Sequence, residues 1–153
     1  MKISTKGRYG LRAVLDIAMH ADSEVVALSS IATRQHISIS YLEQLISKLK
    51  KAGIVHSIRG SQGGYVLARP AEEISVGDIL RCLEGNLNPV ECSEILGGSC
   101  AGSDVCVTKF VWKRISDSIN QAVDGLMLSE LVAEGQQLSA KEEISSDGTS
   151  CTV

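Results

Sequence analysis

SISYLEQLISKLKKAGIVHSIRGSQGGYVLAR, residues 38–69, is the stretch that decides the fold of this 153-residue chain. Leucine and isoleucine recur in its first half at helical spacing, which predicts an amphipathic helix that ends near Gly53. The apolar face of this helix consists of Leu42, Leu45, Ile46 and Leu49. Two strand-like runs follow at residues 54–59 and 65–69, and the glycine-rich tip between them predicts a β-hairpin. With two further short helices before it, this helix and hairpin have the order of a winged helix-turn-helix, in which the third helix is the recognition helix and the hairpin is the wing.

Shorter periodic segments lie on both sides of this unit. Apolar residues at helical spacing predict helices over residues 6–20 and 28–35, with Ser29 or Ser30 as the N-cap of the second. Downstream, residues 75–83 predict a further helix. The fold class is therefore mainly α with a small β-hairpin wing.

Two of these helices have side chains that suit a capping box. Ser75 and Asp78 have the required spacing at the start of the downstream helix. For the recognition helix two starts are open. Ser40 with Glu43 fits a capping box, whereas Ser38 would start the helix two residues earlier.

The start of the recognition helix and the base of the wing carry side chains that suit DNA reading. Gln44 can pair with adenine and Glu43 can accept a hydrogen bond from cytosine. Because a glutamate repels phosphate, Glu43 indicates base discrimination, while Lys48 suits a phosphate contact. Arg59 at the wing can enter a narrow minor groove. The residues predicted to contact DNA are Ser38, Ser40, Tyr41, Glu43, Gln44, Lys48, Arg59 and Gly60. The alternative is a hairpin that only covers the core.

The net charge of −3 is divided unevenly between the two halves of the chain. Residues 1–70 contain ten basic and four acidic side chains, a net charge of +6. Residues 71–153 contain five basic and fourteen acidic side chains, a net charge of −9. Such asymmetry favours a polyanion such as double-stranded DNA as the partner of the first half. Neither a signal peptide nor an apolar run of about 20 residues is evident, so we expect a cytoplasmic protein without a membrane anchor.

Three of the five cysteines lie in one glycine-rich stretch. Seven residues separate Cys92 from Cys100, and five separate Cys100 from Cys106. The glycines between them allow a tight turn, so that three sulfur atoms could converge. Three soft thiolates suit an iron–sulfur cluster.

Other roles for the cysteines remain open. Structural zinc sites favour close Cys-x-x-Cys pairs, which are absent here. A thiol switch needs only exposed thiolates. Cys82 is interpreted as a small buried apolar residue and Cys151 as incidental. An enzyme is disfavoured, because neither a thiol oxidoreductase motif nor a phosphate-binding glycine motif occurs.

The longest periodic segment covers residues 107–126 and predicts a helix whose apolar stripe packs against a second subunit. A short helix over residues 128–134, capped by Ser129, follows it. From about Ser139 the sequence is polar and predicts a disordered tail. The predicted parts are a winged helix-turn-helix domain (1–83), a cysteine loop (84–106), a dimerisation helix with a short C-terminal helix (107–137) and the tail (138–153).

Residues 1–67 resemble the IscR-like group of bacterial winged-helix regulators. The resemblance rests on MKISTKGRYGLRA at residues 1–13, SYLEQL at 40–45 and SIRGSQGGY at 57–65. It continues through residues 74–84 and the long helix. It implies a homodimer that binds near-palindromic promoter DNA through the residues above, with Glu43 tuning which sites are read.

The resemblance also implies that the three clustered cysteines hold an iron–sulfur cluster, with [2Fe-2S] favoured over [4Fe-4S]. A related CymR-like branch lacks the cluster loop. The fourth ligand is open, because the histidine and aspartate of related branches correspond here to Lys109 and Arg8. Cys82, Glu91 or water could take that place. Iron–sulfur assembly genes are the leading target and cysteine metabolism the second, and the assembly machinery is a further partner.

Overall fold

The computed structural model describes residues 2–20, 25–91, 100, 102 and 104–146. In chain order the elements are α1 (Thr5–Met19), α2 (Leu28–Gln35), α3 (Ile39–Lys51), β1 (Val55–Ile58), β2 (Gly64–Leu67), a 3-10 turn (Ala71–Glu73), α4 (Val76–Glu84), α5 (Thr108–Asp124) and α6 (Leu128–Ser146). This order confirms the predicted mainly α fold with a hairpin wing. None of the helices in these segments is long and apolar enough to cross a bilayer.

The main core lies where α1, α2, α3 and the hairpin meet. All four residues of the predicted apolar face of α3 are buried there, together with Ala13, Val14 and Ile17 of α1 and Ile31 of α2. Ser38 caps α3, and its Oγ accepts a hydrogen bond from the Tyr41 N–H at 3.3 Å. Ser40 therefore lies inside the helix, and the capping box with Glu43 does not form.

The wing is a two-stranded antiparallel hairpin in which Val55 pairs with Leu67 and Ile58 with Gly64. Val26 pairs with β2 as a single bridging residue, because its N–H and C=O both bond to Tyr65, at 3.0 and 2.9 Å. A Cβ at Gly64 would collide with the Val26 carbonyl oxygen, so this close pairing needs glycine.

The Val26 pairing also explains where α2 begins. The N-cap of α2 is Ala27, which has extended backbone and no side-chain hydrogen bond. The prediction that Ser29 or Ser30 caps this helix is wrong, because the strand pairing of residue 26 leaves residue 27 as the last extended position. Both serines therefore lie within the first turn.

A buried ion pair joins α1 to α2. Asp16 is 4% exposed and accepts hydrogen bonds from Arg34 Nε at 3.0 Å and from Gln35 Nε2 at 2.8 Å. A second bond runs from an Arg34 terminal nitrogen to the other carboxylate oxygen at 2.5 Å. Since both carboxylate oxygens are satisfied, burial of this charge is compensated.

Helix α4 packs across α1 and confirms the capping box predicted for Ser75 and Asp78. A Cβ at Gly10 would collide with Leu83 of α4, so the two helices approach as closely as glycine permits. Helix α5 confirms the predicted long helix and is joined to α4 by Arg81, which donates to Asn120 at 2.9 Å and pairs with Asp124.

Helix α6 is much longer than the sequence predicted. It begins at the buried Leu128, whose N–H bonds to the Ile74 carbonyl at 2.8 Å, and it continues to Ser146. The predicted short helix and the predicted disorder from Ser139 are thus wrong as far as residue 146. Alanine, lysine and glutamate at residues 140–143 are strong helix formers and propagate a helix that tertiary contacts have already started. Residues 147–153, including Cys151, lie outside the described part of the chain.

Candidate nucleic-acid interface and cysteine site

Helix α3 presents a polar ridge on the side opposite the core. Ser40, Gln44, Ser47 and Lys51 are all exposed and recur at three- or four-residue steps. Glu43 is exposed on one flank of this ridge. Ser47 was missing from the predicted site, and the same helical spacing that defined the apolar face would have placed it here.

Two contacts hold the ends of α3 in place. At its start, the Tyr41 ring lies edge-on to Tyr9 of α1 with centroids 6.3 Å apart, and its hydroxyl bonds to Thr5 Oγ1 at 3.3 Å. At its end, Lys50 Nζ donates to Ser57 Oγ of β1 at 2.9 Å. The ridge is therefore carried by a helix that is fixed to both α1 and the wing.

Lys48 lies on the α4 side of α3. Burial raises the pKa of the Cys82 thiol, and the positive charge of nearby Lys48 partly opposes that rise. Cys82 is partly buried and packs against the main core, as interpreted from the sequence.

The wing tip is exposed from residue 59 to residue 62 and is closed by a bond from the Gly63 N–H to the Gly60 carbonyl at 3.1 Å. Gly60 has φ +128°, which side chains rarely adopt. Arg59 is exposed at the start of this tip, next to the position that favours glycine.

Arg12 is a basic side chain near the reading helix that the sequence analysis missed. Its guanidinium lies 5.5 Å from the Tyr9 ring centroid, and its Nε donates to Gln35 at 2.9 Å. Because Tyr9 contacts Tyr41, Arg12 adds positive charge near the start of α3. The sequence gives no signal that α1 places Arg12 near Tyr41, because their proximity depends on how the two helices pack.

The cysteine segment is described only in part. Cys92 lies outside the described residues, Cys100 is exposed, and Cys106 lies two residues before α5. A hydrogen bond with the Thr108 hydroxyl, 3.3 Å from the sulfur, and backbone N–H groups of Thr108 and Lys109 lower the pKa of the Cys106 thiol. The thiolate, which is the form that binds metals, is thus favoured at this position.

The other residues named for the metal site are placed as follows. Lys109 lies 5.6 Å from the Phe110 ring centroid, Arg8 is exposed on α1, and Glu91 is exposed just before the cysteines. Within residues 2–20, 25–91 and 104–146, and at residues 100 and 102, no three histidine, cysteine or acidic side chains group as metal ligands.

Comparisons with known proteins agree with this architecture. Residues 3–134 match the family described as "Rrf2: Iron-dependent Transcriptional regulator". The HTH-type transcriptional regulator IscR of Aliivibrio salmonicida is 42% identical over 146 residues, which cover 94% of this chain and 86% of that protein. The IscR of Pectobacterium carotovorum is 39% identical over 147 residues, covering 96% and 88%.

Two solved structures are similar in fold. T. potens IscR has a TM-score of 0.74 at 43% identity and covers 90% of each chain. CymR of B. subtilis, the global cysteine regulator, has a TM-score of 0.74 at 40% identity and covers 88% of this chain and 98% of its own.

The first prediction concerns the Cys106 thiol of the metal-free protein. The pH midpoint of its alkylation rate should lie below that of an ordinary thiol, which is about 8.5, because the thiolate forms at lower pH. Thr108→Val should move the midpoint to higher pH by removing the hydroxyl that bonds to the sulfur. Iodoacetamide labelling, followed peptide by peptide by mass spectrometry, measures both. Cys82 is the internal control and should react last, and an unchanged Cys106 midpoint in Thr108→Val would contradict the assignment.

Proposed function

The chain belongs to the Rrf2 family of transcriptional regulators, and we propose that it is a homodimer whose iron–sulfur cluster controls how it reads promoters. Its relatives are HTH-type transcriptional regulators, so the chain is a DNA-binding regulator and not an enzyme. Genes for iron–sulfur cluster assembly are the proposed targets, and exchange with that assembly machinery in the cytoplasm would load the cluster.

The DNA-reading half of the proposal is supported by the ridge on α3 and the exposed wing. Gln44 stands in the middle of the ridge with its amide free of the core, which suits a bidentate base contact. Lys51 ends the same ridge and suits a phosphate contact. Glu43 on the flank would restrict the accepted bases, and Ser38, Ser40, Tyr41, Lys48, Arg59 and Gly60 would complete the interface.

Separate alanine substitutions of Gln44 and Lys51 distinguish base reading from phosphate binding. Gln44→Ala should weaken binding to the preferred duplex about tenfold or more while its salt dependence stays the same. Lys51→Ala should weaken binding to all duplexes and reduce the slope of log affinity against log salt by about 0.9. The probe is the tightest duplex that the wild-type protein selects from a random pool, measured by fluorescence anisotropy. Gln137→Ala on α6 is the matched control, and equal behaviour of all three variants would refute the interface.

The homodimer is supported by the surface of α5. Val107, Phe110 and Val111 are 77%, 66% and 51% exposed, and Ile115 continues the same side. Contiguous apolar surface of this kind marks an interface. A two-fold dimer through α5 would present two recognition helices to the two halves of a near-palindromic site.

A charge on this stripe should prevent dimerisation. In Val111→Glu the carboxylate would be buried without a partner in both subunits, at a cost of about 3 kcal/mol or more. Sedimentation velocity should then find a monomer at concentrations where the wild-type protein is a dimer. Gln137→Glu adds the same charge on α6 and should leave the dimer intact. A Val111→Glu dimer as tight as wild type would place the interface elsewhere.

The metal half of the proposal is carried by the three clustered cysteines, Cys92, Cys100 and Cys106, and the lowered pKa of Cys106 just before α5 supports it. The overall fold is as similar to CymR as to IscR, so it does not separate the two branches. The cysteines do, because a soft donor set of Cys92, Cys100 and Cys106 fits iron and sulfide. A bound cluster, with [2Fe-2S] favoured over [4Fe-4S], would supply a centre that responds to iron and oxidants.

The fourth ligand would come from a residue other than Lys109 or Arg8, since neither carries a suitable donor at neutral pH. Cys82 is held against the core with a raised pKa, which disfavours its thiolate. Glu91 is exposed directly before the cysteine segment, and we favour it or water as the fourth ligand.

Removal of single cysteines tests the cluster. Each of the variants Cys92→Ala, Cys100→Ala and Cys106→Ala should lose most of the iron and sulfide retained after anaerobic reconstitution. The visible absorption should be lost with them. Cys151→Ala is the control and should retain both. Mössbauer spectra of the wild-type protein would distinguish the two cluster types. A wild-type protein that stays colourless and iron-free would refute the cluster.

The second candidate is a cluster-free regulator, either CymR-like or responsive to thiol oxidants or nitric oxide. The lowered pKa of the Cys106 thiol also suits a group that oxidants attack, and the fold similarity to B. subtilis CymR is compatible with this candidate. In that case DNA affinity would respond to oxidation of Cys106 in a protein that holds no iron.

A further inference from the structure

The last residue of α4, Glu84, lies against the first turn of α1. Its Oε1 accepts hydrogen bonds from the Ser4 N–H at 3.0 Å, the Ser4 hydroxyl at 2.7 Å and the Gly7 N–H at 3.0 Å. Ser4 is the N-cap of α1, so Glu84 completes the cap from 80 residues away. The negative charge is unfavourable at the C-terminus of its own helix and favourable at the N-terminus of α1.

Glycine at residue 7 is needed for this contact. A Cβ there would collide with Glu84 Oε1 and lie 2.9 Å from a methyl group of Ile3. The carboxylate therefore occupies the space that the missing side chain leaves. Two of its three hydrogen bonds come from the backbone N–H groups of Ser4 and Gly7, and the third comes from the Ser4 hydroxyl.

The same turn of α1 positions the recognition helix. Thr5, next to Ser4, bonds to the Tyr41 hydroxyl, and Tyr9 one turn later packs edge-on against the Tyr41 ring. Tyr41 lies in the first turn of α3, where DNA reading is proposed. A continuous set of contacts thus runs from Glu84 through the start of α1 to the start of α3.

We propose that Glu84 is a positioning residue for DNA reading, which fixes the start of α1 and thereby the angle at which α3 presents its ridge. The inference rests on the proposed DNA-reading role of α3. Glu84 is followed by Gly85, at φ +90°, where the chain leaves α4 towards the cysteines. Between Glu84 and the cysteines the chain is held by the buried Leu87 and by the hydrogen bond from the Ser116 hydroxyl to Asn88 Oδ1 at 2.7 Å.

The experiment uses the full-length, metal-free protein, so that its result does not depend on a cluster. Affinity is measured for the tightest duplex selected by the wild-type protein and for a scrambled duplex of the same composition. Glu84→Ala should weaken the selected duplex about three- to tenfold and leave the scrambled one within about twofold, because positioning affects base contacts more than phosphate attraction. Glu84→Gln keeps an acceptor oxygen and should restore part of the loss.

Two further variants separate positioning from general stability. Thr5→Val removes only the acceptor of the Tyr41 hydroxyl at an exposed site and should also weaken the selected duplex. Combined with Glu84→Ala it should cost less than the product of the two single effects, since both act on the same contacts. Asp78→Asn, in the capping box at the other end of α4, is the stability control and should lower the melting temperature while the ratio of selected to scrambled affinity is unchanged.

The outcomes are distinct. A wild-type protein that selects no duplex refutes the proposed function and this inference with it. Wild-type selection with an unchanged affinity ratio in Glu84→Ala refutes the inference alone. Independent, multiplying effects of Glu84→Ala and Thr5→Val, or an equal loss of the ratio in Asp78→Asn, would also overturn it.

Discussion

Helix α1 has to pack closely against several elements at once, and the rest of the structure depends on that packing. Glycine at residues 7 and 10 lets α4 approach on one side, and Met19 lies beside Gly135 of α6 near the other end. On a third side Asp16 binds Arg34 of α2 through both carboxylate oxygens. Because protein interiors are close-packed, a shift of α1 cannot be absorbed by one neighbour alone.

This packing links the start of the recognition helix to the end of α4 through α1. The recognition helix is held through Tyr41, and the segment that leads to the cysteines leaves α4 directly after Glu84. Helix α5, which begins two residues after Cys106, is joined back to α4 by Arg81. The described residues on both sides of the cysteine segment are therefore joined to each other through α4.

The similarity to both IscR and CymR fits this division of roles. The chain has the same TM-score to both kinds of regulator, so its winged helix-turn-helix and long helix α5 do not distinguish them. What differs between regulators of one fold is the chemistry placed on it. In this chain the candidate chemistry lies between α4 and α5, where hydrogen bonds with Thr108 and Lys109 lower the pKa of the Cys106 thiol.

The sequence by itself determined the elements whose signals are local. The apolar spacing of α3, the glycine-tipped hairpin and the capping box at Ser75 were all readable because each signal lies within a few residues. The candidate cysteines were also readable, since residue type alone marks them. The tertiary structure decided the start of α2, the length of α6 and the contacts of Asp16 and Glu84. These depend on partners 18 to 80 residues away, and no periodic pattern encodes which distant groups will meet.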